Sequence, residues 1–353
     1  MNEINEQDQV LFWQQGAIGS IRLNRPKALN ALTHEMIFDI QKALINWAKD
    51  SSIEAVIIDG AGEKAFCAGG DIVKLYNNSP ADAKQGQQYW YDEYQLNALI
   101  ANYAKPYIAI MNGITMGGGV GISAHGSHRL VTEETMLAMP EVGIGFLPDV
   151  GGTYLLARSP GKVGLYLGMS GARMDAADAI YAGFADSYIS SDRLEDFTNE
   201  MINGASSKAA IEKFSSKPDE GTLKNLQDKI DLAFGKNSVL EIVSELEKMS
   251  ENGDEWAMKT LNAIRRSCPL SVAAAFAAIN NARNLSLIEC LQAEYRFAHK
   301  ALLGTEFYEG VRAAVIDKDR SPKWQPATLE QVTPEMVHDI LAPIGENEWQ
   351  QEI

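Results

Sequence analysis

The sequence predicts an α/β fold followed by a helical C-terminal region. Three observations carry that prediction. Strand-like and helix-like apolar periods alternate through the first half of the chain. An uninterrupted apolar run, Tyr107–Met111, leads toward a glycine cluster at 117–121. Beyond Ser191 charged and apolar residues mix in an almost wholly helical pattern, and the composition shift near Asp192 divides the chain into a core, 1–190, and a helical region, 191–353.

Taken in order, residues 17–24 alternate and then reach Arg25-Pro26, which reads as a strand ending in a turn. Residues 33–50 place Met36, Ile40, Ala43, Leu44 and Trp47 at helical spacing, so one face of that helix is expected to be buried. A strand at 55–59 runs into Gly60-Ala61-Gly62, and Phe66-Cys67-Ala68-Gly69-Gly70-Asp71 then permits a tight turn with exposed amides. Residues 79–104 are polar, with Tyr89, Trp90, Tyr91 and Tyr94 as punctuation, and read as a helix covering a site.

The apolar run 107–111 reads as a buried strand turning directly into a helix whose glycines allow close approach of a ligand. The first amides of such a helix lack intrahelical partners and carry the positive end of its dipole, so they can hold negative charge. Two carboxylates follow, Glu141 after Pro140 and Asp149 after Pro148. Amide donors with two placed carboxylates suit a site that stabilises an oxyanion and moves protons or activates water.

Residues 161–183 read as short helices ending at Gly183, and 184–189 as a returning strand. In the helical region, Ser238 with Glu241 and Ser286 with Glu289 are spaced as capping boxes, Thr333-Pro334 reads as a helix start, and 215–221 as a polar break. Phe307, Val311, Ala314 and Val315 fall on one helical face.

With 353 residues, 46% of them hydrophobic, the chain can bury a substantial core. A net charge of -16 excludes nucleic acid, which needs a basic footprint, and an anionic membrane surface with it. No apolar run reaches membrane-spanning length. Cys67, Cys268 and Cys290 cannot all pair, so reduced thiols in the cytoplasm are expected, and the polar start MNEINEQDQV has neither secretory nor transit character. His34, His125, His128, His299 and His338 form no metal-binding pattern. The chain has no G-x-S-x-G elbow and no phosphate loop, and Cys67 has no base beside it, which makes it a packing thiol.

Four separated motifs add a resemblance: LNRPKALNAL at 23–32, KAFCAGGDI at 64–72, the stretch 107–158, and EFYEGVRAAVIDKDRSPKW at 306–324. In this order they resemble the crotonase (enoyl-CoA hydratase/isomerase) superfamily, most of all its thioester-hydrolysing branch, over most of the chain. The resemblance implies repeated strand-strand-helix units wound into a spiral, with a helical C-terminal region that closes the site and supports a homo-oligomer. It implies an acyl-CoA substrate, with coenzyme A as part of that substrate and neither a separate cofactor nor a metal. The N–H groups of Gly70 and Gly118 would form the oxyanion hole. Ala68, Gly69, Ile72 and Glu93 would bind the substrate, and Lys27, with Arg25 and the charges at Lys318, Arg320 and Lys323, would approach the coenzyme A phosphates.

Hydratases of the superfamily carry a glutamate at the position of Gly121 and a glycine at that of Asp149. This chain has the reverse, and the pair Glu141 and Asp149 is the hydrolase arrangement. Two carboxyls close together and partly desolvated are expected to have raised pKa values. A hydratase or isomerase is the alternative, and a non-catalytic acyl-CoA-binding protein a third reading. The sequence leaves open whether Glu141 activates water or attacks the carbonyl itself.

Overall fold

The computed structural model describes residues 8–77 and 83–352. The first seven residues and the expected helix start at Ser79 lie outside the described residues. The chain opens with a hairpin of β1 (Val10–Gln15) and β2 (Ile18–Leu23), paired antiparallel with Gln15 opposite Ile18. Sequence reading missed β1, because VLFWQQ is a half-exposed edge strand without clean alternation. Helix α1 (His34–Lys49) follows, capped by Thr33, and buries Met36, Ile37, Ile40 and Leu44, while Ala43 and Trp47 are half-buried at its margin.

From here each unit places one strand in each of two sheets. Strands β3 (Ala55–Gly60) and β4 (Ala65–Cys67) precede α2 (Ile72–Asn77) and α3 (Ala83–Ala101). Strands β5 (Tyr107–Met111) and β6 (Ile114–Met116) precede the single turn α4 (Gly118–Gly121). Strands β7 (His128–Val131) and β8 (Met136–Ala138) precede α5 (Gly152–Arg158), α6 (Val163–Ser170) and α7 (Ala176–Tyr181), and β9 (Ser187–Tyr188) closes the series. The large sheet runs β1-β2-β3-β5-β7-β9, parallel after the first hairpin, and the small one β4-β6-β8, all parallel. This is the expected spiral of strand-strand-helix units. One expectation is corrected: β5 does not pass directly into a helix. Gly113, at φ 88, turns the chain out of the large sheet into β6, and β6 leads to α4.

The large sheet is covered on both faces, which explains why β5 is apolar without alternation. Val56, Ile58, Ala109 and Met111 face the main core. Ile57, Ile108, Ile110 and Leu130 face a second core, closed by Phe197 and Met201 of α8 (Leu194–Ile202) and Phe214 of α9 (Ser207–Phe214). Burying a side chain such as Phe197 stabilises the fold by about 1.5–3 kcal/mol.

The remaining helices are α10 (Leu223–Phe234), α11 (Val239–Glu251), α12 (Glu255–Arg266), α13 (Pro269–Asn281), α14 (Leu287–Ala301), α15 (Glu306–Val311) and α16 (Pro334–Leu341). Ser286 makes the full capping box with Glu289. Ser238 makes only half, because the Glu241 carboxylate accepts from Asn237 N instead. After α15 the chain widens into a π-turn, Arg312–Ile316. The extra residue in that turn shifts the helical phase, so Ala313 is buried and Ala314, expected inside, is exposed. The C-terminal tail docks on the outer face of α3. Trp349 Nε1 donates to Tyr91 O at 2.9 Å and Gln95 Nε2 to Gln350 O at 2.6 Å, so α3 is clamped from outside while its other face lines a cavity.

Candidate active site

The first and second motifs are sewn together by backbone and side-chain bonds. Asn30, held at φ 56, accepts from Arg25 N and donates to the carbonyls of Ala61 and Ala65. Ala68 N donates to Leu29 O at 3.0 Å, Leu32 N to Gly69 O at 2.8 Å, and Asp71 N to Leu32 O at 2.8 Å. Arg25 closes the turn with an ion pair to Asp71 at 2.9 Å. Gly69 sits at φ 116, a backbone conformation that penalises any side chain. These ties fix the Gly70 amide beside the first turn of α4, where a Cβ built on Gly118 would lie 3.3 Å from Gly70 N. Neither the Gly70 nor the Gly118 amide has an acceptor among the described residues. Two unpaired donors converging on a cavity wall make a site for developing negative oxygen.

Three carboxyls surround those amides. Glu93, on α3, approaches from one side, and a Cβ on Gly118 would run into its Oε1. Glu141, at the start of a 3-10 turn after Pro140, approaches from the other, its Oε1 3.0 Å from where a Gly117 Cβ would stand. Asp149 is held by Tyr94, whose hydroxyl donates to Oδ2 at 2.8 Å. All three are buried. Among the described residues Glu93 Oε1 and Glu141 Oε2 have no hydrogen-bond partner, and buried acceptors in that state call for a ligand or water.

No Lys, Arg or His lines this cavity among the described residues. Burial therefore raises each carboxyl, most plainly Glu93 and Glu141, which stand well above the ordinary range and are raised further by the charge of Asp149. Burial pushes Asp149 up to about 7, against the opposing effect of the Tyr94 hydrogen bond. Raised pKa values are what the sequence led us to expect for such a pair.

The cavity has a volume of about 260 Å³. Its apolar wall is Trp90 stacked on Phe146 at 4.6 Å, with Phe307 edge-on to both. Of the nine residues singled out from the sequence, Ala68, Gly69, Gly70, Ile72, Glu93, Gly118, Glu141 and Asp149 all line it. Lys27 is the exception: it is exposed on the one-turn helix Pro26–Ala28, outside the lining. Arg25 is already engaged by Asp71 and Ala31 O. Lys318, Arg320 and Lys323 are all exposed, and Arg320 borders a neighbouring cavity with Arg266.

Gly121 is tightly packed. A Cβ there would stand 2.7 Å from both Asn97 Nδ2 and Val150 Cβ, so any side chain at this position forces those neighbours to shift. Cys67 is buried, with its thiol pushed up to about 12 by burial, which accords with a packing role. His125 hydrogen-bonds Val150 O at 2.7 Å, and burial lowers it to about 4.

Sequence reading missed Tyr94 as the partner of Asp149 and missed Glu294 altogether. The spacing of Tyr89, Trp90, Glu93, Tyr94 and Asn97 at i, i+1, i+4, i+5 and i+8 marks one face of α3 and could have pointed to Tyr94. Glu294 had no local signal, because a glutamate in LIECLQAEYRFAHKA reads as a solvated helix residue.

Comparison with known proteins bears on this arrangement. The family model described as enoyl-CoA hydratase/isomerase matches residues 18–341. A protein of Danio rerio named 3-hydroxyisobutyryl-CoA hydrolase, mitochondrial, is 41% identical over 350 residues, covering 96% of this chain and 91% of its own. Among solved structures, a carnitinyl-CoA dehydratase from Mycobacterium thermoresistibile is 41% identical with a TM-score of 0.93, covering 98% of this chain and 99% of its own. An enoyl-CoA hydratase from Rhodobacter sphaeroides 2.4.1 is 42% identical with a TM-score of 0.92, covering 97% and 100%. A strand-strand-helix spiral, two converging glycine amides and a family match over residues 18–341 together establish that the chain belongs to the enoyl-CoA hydratase/isomerase family.

Proposed function

We propose that this protein hydrolyses the thioester of 3-hydroxyisobutyryl-CoA to 3-hydroxyisobutyrate and coenzyme A, a step of valine breakdown. The observation that carries the reading is the carboxyl arrangement: Glu141 and Asp149 line one cavity with the Gly70 and Gly118 amides, while a side chain at Gly121 would run into Asn97 and Val150. The name of the Danio rerio relative agrees with it. The dehydratase and hydratase titles of the two solved structures favour a lyase, and Gly121 speaks against that alternative.

In this reading the thioester oxygen accepts from Gly70 N and Gly118 N, and charge developing on it is stabilised; loss of one such donor costs about 10²–10³ in rate. Glu141 either takes a proton from the attacking water or attacks the carbonyl carbon, with water then cleaving the anhydride. Either way the C–S bond breaks, a C–O bond forms and a proton reaches the departing sulfur. Asp149 orients the substrate hydroxyl or manages that proton, and Glu93 contacts the acyl portion from α3. The chemistry draws on water and protein carboxyls, with coenzyme A entering only as part of the substrate, and the basic residues Lys27, Lys318, Arg320 and Lys323 are candidates for its phosphates. No helix of the described residues is long and apolar enough to cross a membrane. Three free, buried thiols fit a reducing compartment, and we place the protein in the cytoplasm; the Danio rerio relative is named mitochondrial. Assembly into a homo-oligomer through the helical region is a further part of this proposal.

The test mixes purified protein with 3-hydroxyisobutyryl-CoA and follows free thiol, with crotonyl-CoA absorbance in parallel. A fall of thiol release by about 10²-fold or more in Glu141→Gln and in Asp149→Asn, leaving a residual rate that can be measured, with crotonyl-CoA untouched, is the expected result. Loss of crotonyl absorbance without thiol release would overturn it.

A further inference from the structure

We propose that Glu294 is a positioning residue for this hydrolysis, acting through the turn that follows Asp149 to set where the Asp149 carboxyl points. The inference rests on the functional reading above and adds a residue from the far end of the chain.

Asp149 is followed by two left-handed residues, Val150 at φ 53 and Gly151 at φ 78. For a β-branched side chain such as Val150 this is a strained conformation, which persists only where surroundings over-determine it. Three groups do so. His125 Nε2 meets Val150 O at 2.7 Å. Glu294 Oε2 accepts from Gly151 N at 2.7 Å. Glu294 Oε1 accepts from Thr153 N at 2.9 Å and from the Thr153 hydroxyl at 2.5 Å.

Glu294 is buried on α14 and does not line the cavity, so it cannot touch the substrate. Its three partners all donate; burial pushes Glu294 up to about 8, and the hydrogen bonds from Thr153 and Gly151 oppose that rise by favouring the carboxylate. A glutamine would set an NH₂ group against one of the N–H donors. Glu294 has no cationic partner among the described residues, a buried carboxyl in that state is expensive for a fold to keep, and a hydroxyl would suffice to cap the short helix α5. What a two-oxygen acceptor adds is a fixed turn at both Gly151 and Thr153, two and four residues after Asp149. A displacement of about 1 Å at a reacting group can cost roughly 10²-fold in rate.

The experiment is a double-mutant cycle of Glu294→Gln with Asp149→Asn, read as kcat and KM for thiol release. We expect Glu294→Gln to lower kcat about 10²-fold with KM changed less than about threefold, and to cost less than about threefold in the Asp149→Asn background. Losses that multiply across the cycle, or a kcat within about twofold of the parent, would overturn the proposal. If Glu294→Gln does not fold, Thr153→Val, which removes one donor at constant shape, takes its place in the same cycle. A crystal structure of the variant supplies a readout independent of activity: the Asp149 carboxyl moved by more than about 0.5 Å supports the role, and an unmoved one refutes it. A parent protein that releases no thiol would sink the functional reading instead, leaving Glu294 to be judged by that crystal structure alone.

Discussion

Replacing Tyr94 with phenylalanine removes one atom from the site and should shift its pH dependence. The Tyr94 hydroxyl donates to Asp149 Oδ2 at 2.8 Å, and both side chains are buried. A hydrogen bond to a charged group contributes about 1.5–3 kcal/mol, and about 1.4 kcal/mol corresponds to one pKa unit. Asp149, pushed up to about 7 by burial and held down by this bond, should therefore rise by about 1–2 units in Tyr94→Phe. Losing a donor to the ionised form favours the protonated one, so the acid limb of the kcat profile moves to higher pH. The ring itself stays packed edge-on against Tyr295 at 6.1 Å, so the fold is retained. The assay is thiol release between pH 5.5 and 10. A uniform loss at every pH, with the limb shifted by less than about 0.3 units, would refute the assignment of Asp149 as the titrating group.

Two further outcomes follow from the same packing. Asp149 has a folded pKa of about 7 against an ordinary 3.8, so the native state holds a proton the unfolded chain releases. That stabilisation is complete below about pH 4 and is lost as pH rises through about 7, and Asp149→Asn should flatten the stability curve between pH 5 and 7 by about 1.4 kcal/mol per unit. Superimposable urea-unfolding slopes for parent and variant would contradict this. Installing the hydratase residue, Gly121→Glu, forces a side chain into Asn97 and Val150, so about 3 kcal/mol of destabilisation and no gain of crotonyl-CoA hydration are expected. A stable, hydrating variant would show that the site has more room than its geometry indicates.

Much of the site was legible because its glycines are punctuation. Gly69, Gly70 and Gly117–Gly119 announce tight backbone, and Glu141 and Asp149 each follow a proline in an otherwise apolar stretch. What these signals could not convey was connectivity. The structural repeat of strand, strand and helix has no counterpart in sequence similarity, because each unit requires only an apolar strand, a turn and a short second strand. Three-residue strands such as β4, β6 and β8 are too short to show a period, so the small sheet was invisible and β5 was read straight into α4.

Residue type at short range pointed to an α/β fold, to amide donors at a glycine cluster and to a pair of placed carboxylates, while the naming of Gly70 and Gly118 as the donors rested on the family resemblance. Tertiary structure alone decided which groups surround the pair. Tyr94 reaches Asp149 across 55 residues and Glu294 reaches Gly151 across 143, through packing of α3 and α14 that no local pattern encodes. It also decided that Glu93 belongs in the cavity and Lys27 outside it, and that Ala313 rather than Ala314 is buried beyond the π-turn. Side-chain burial is a property of the assembled surface, and a helix carries on its sequence only the fact of having a face, not what that face will meet.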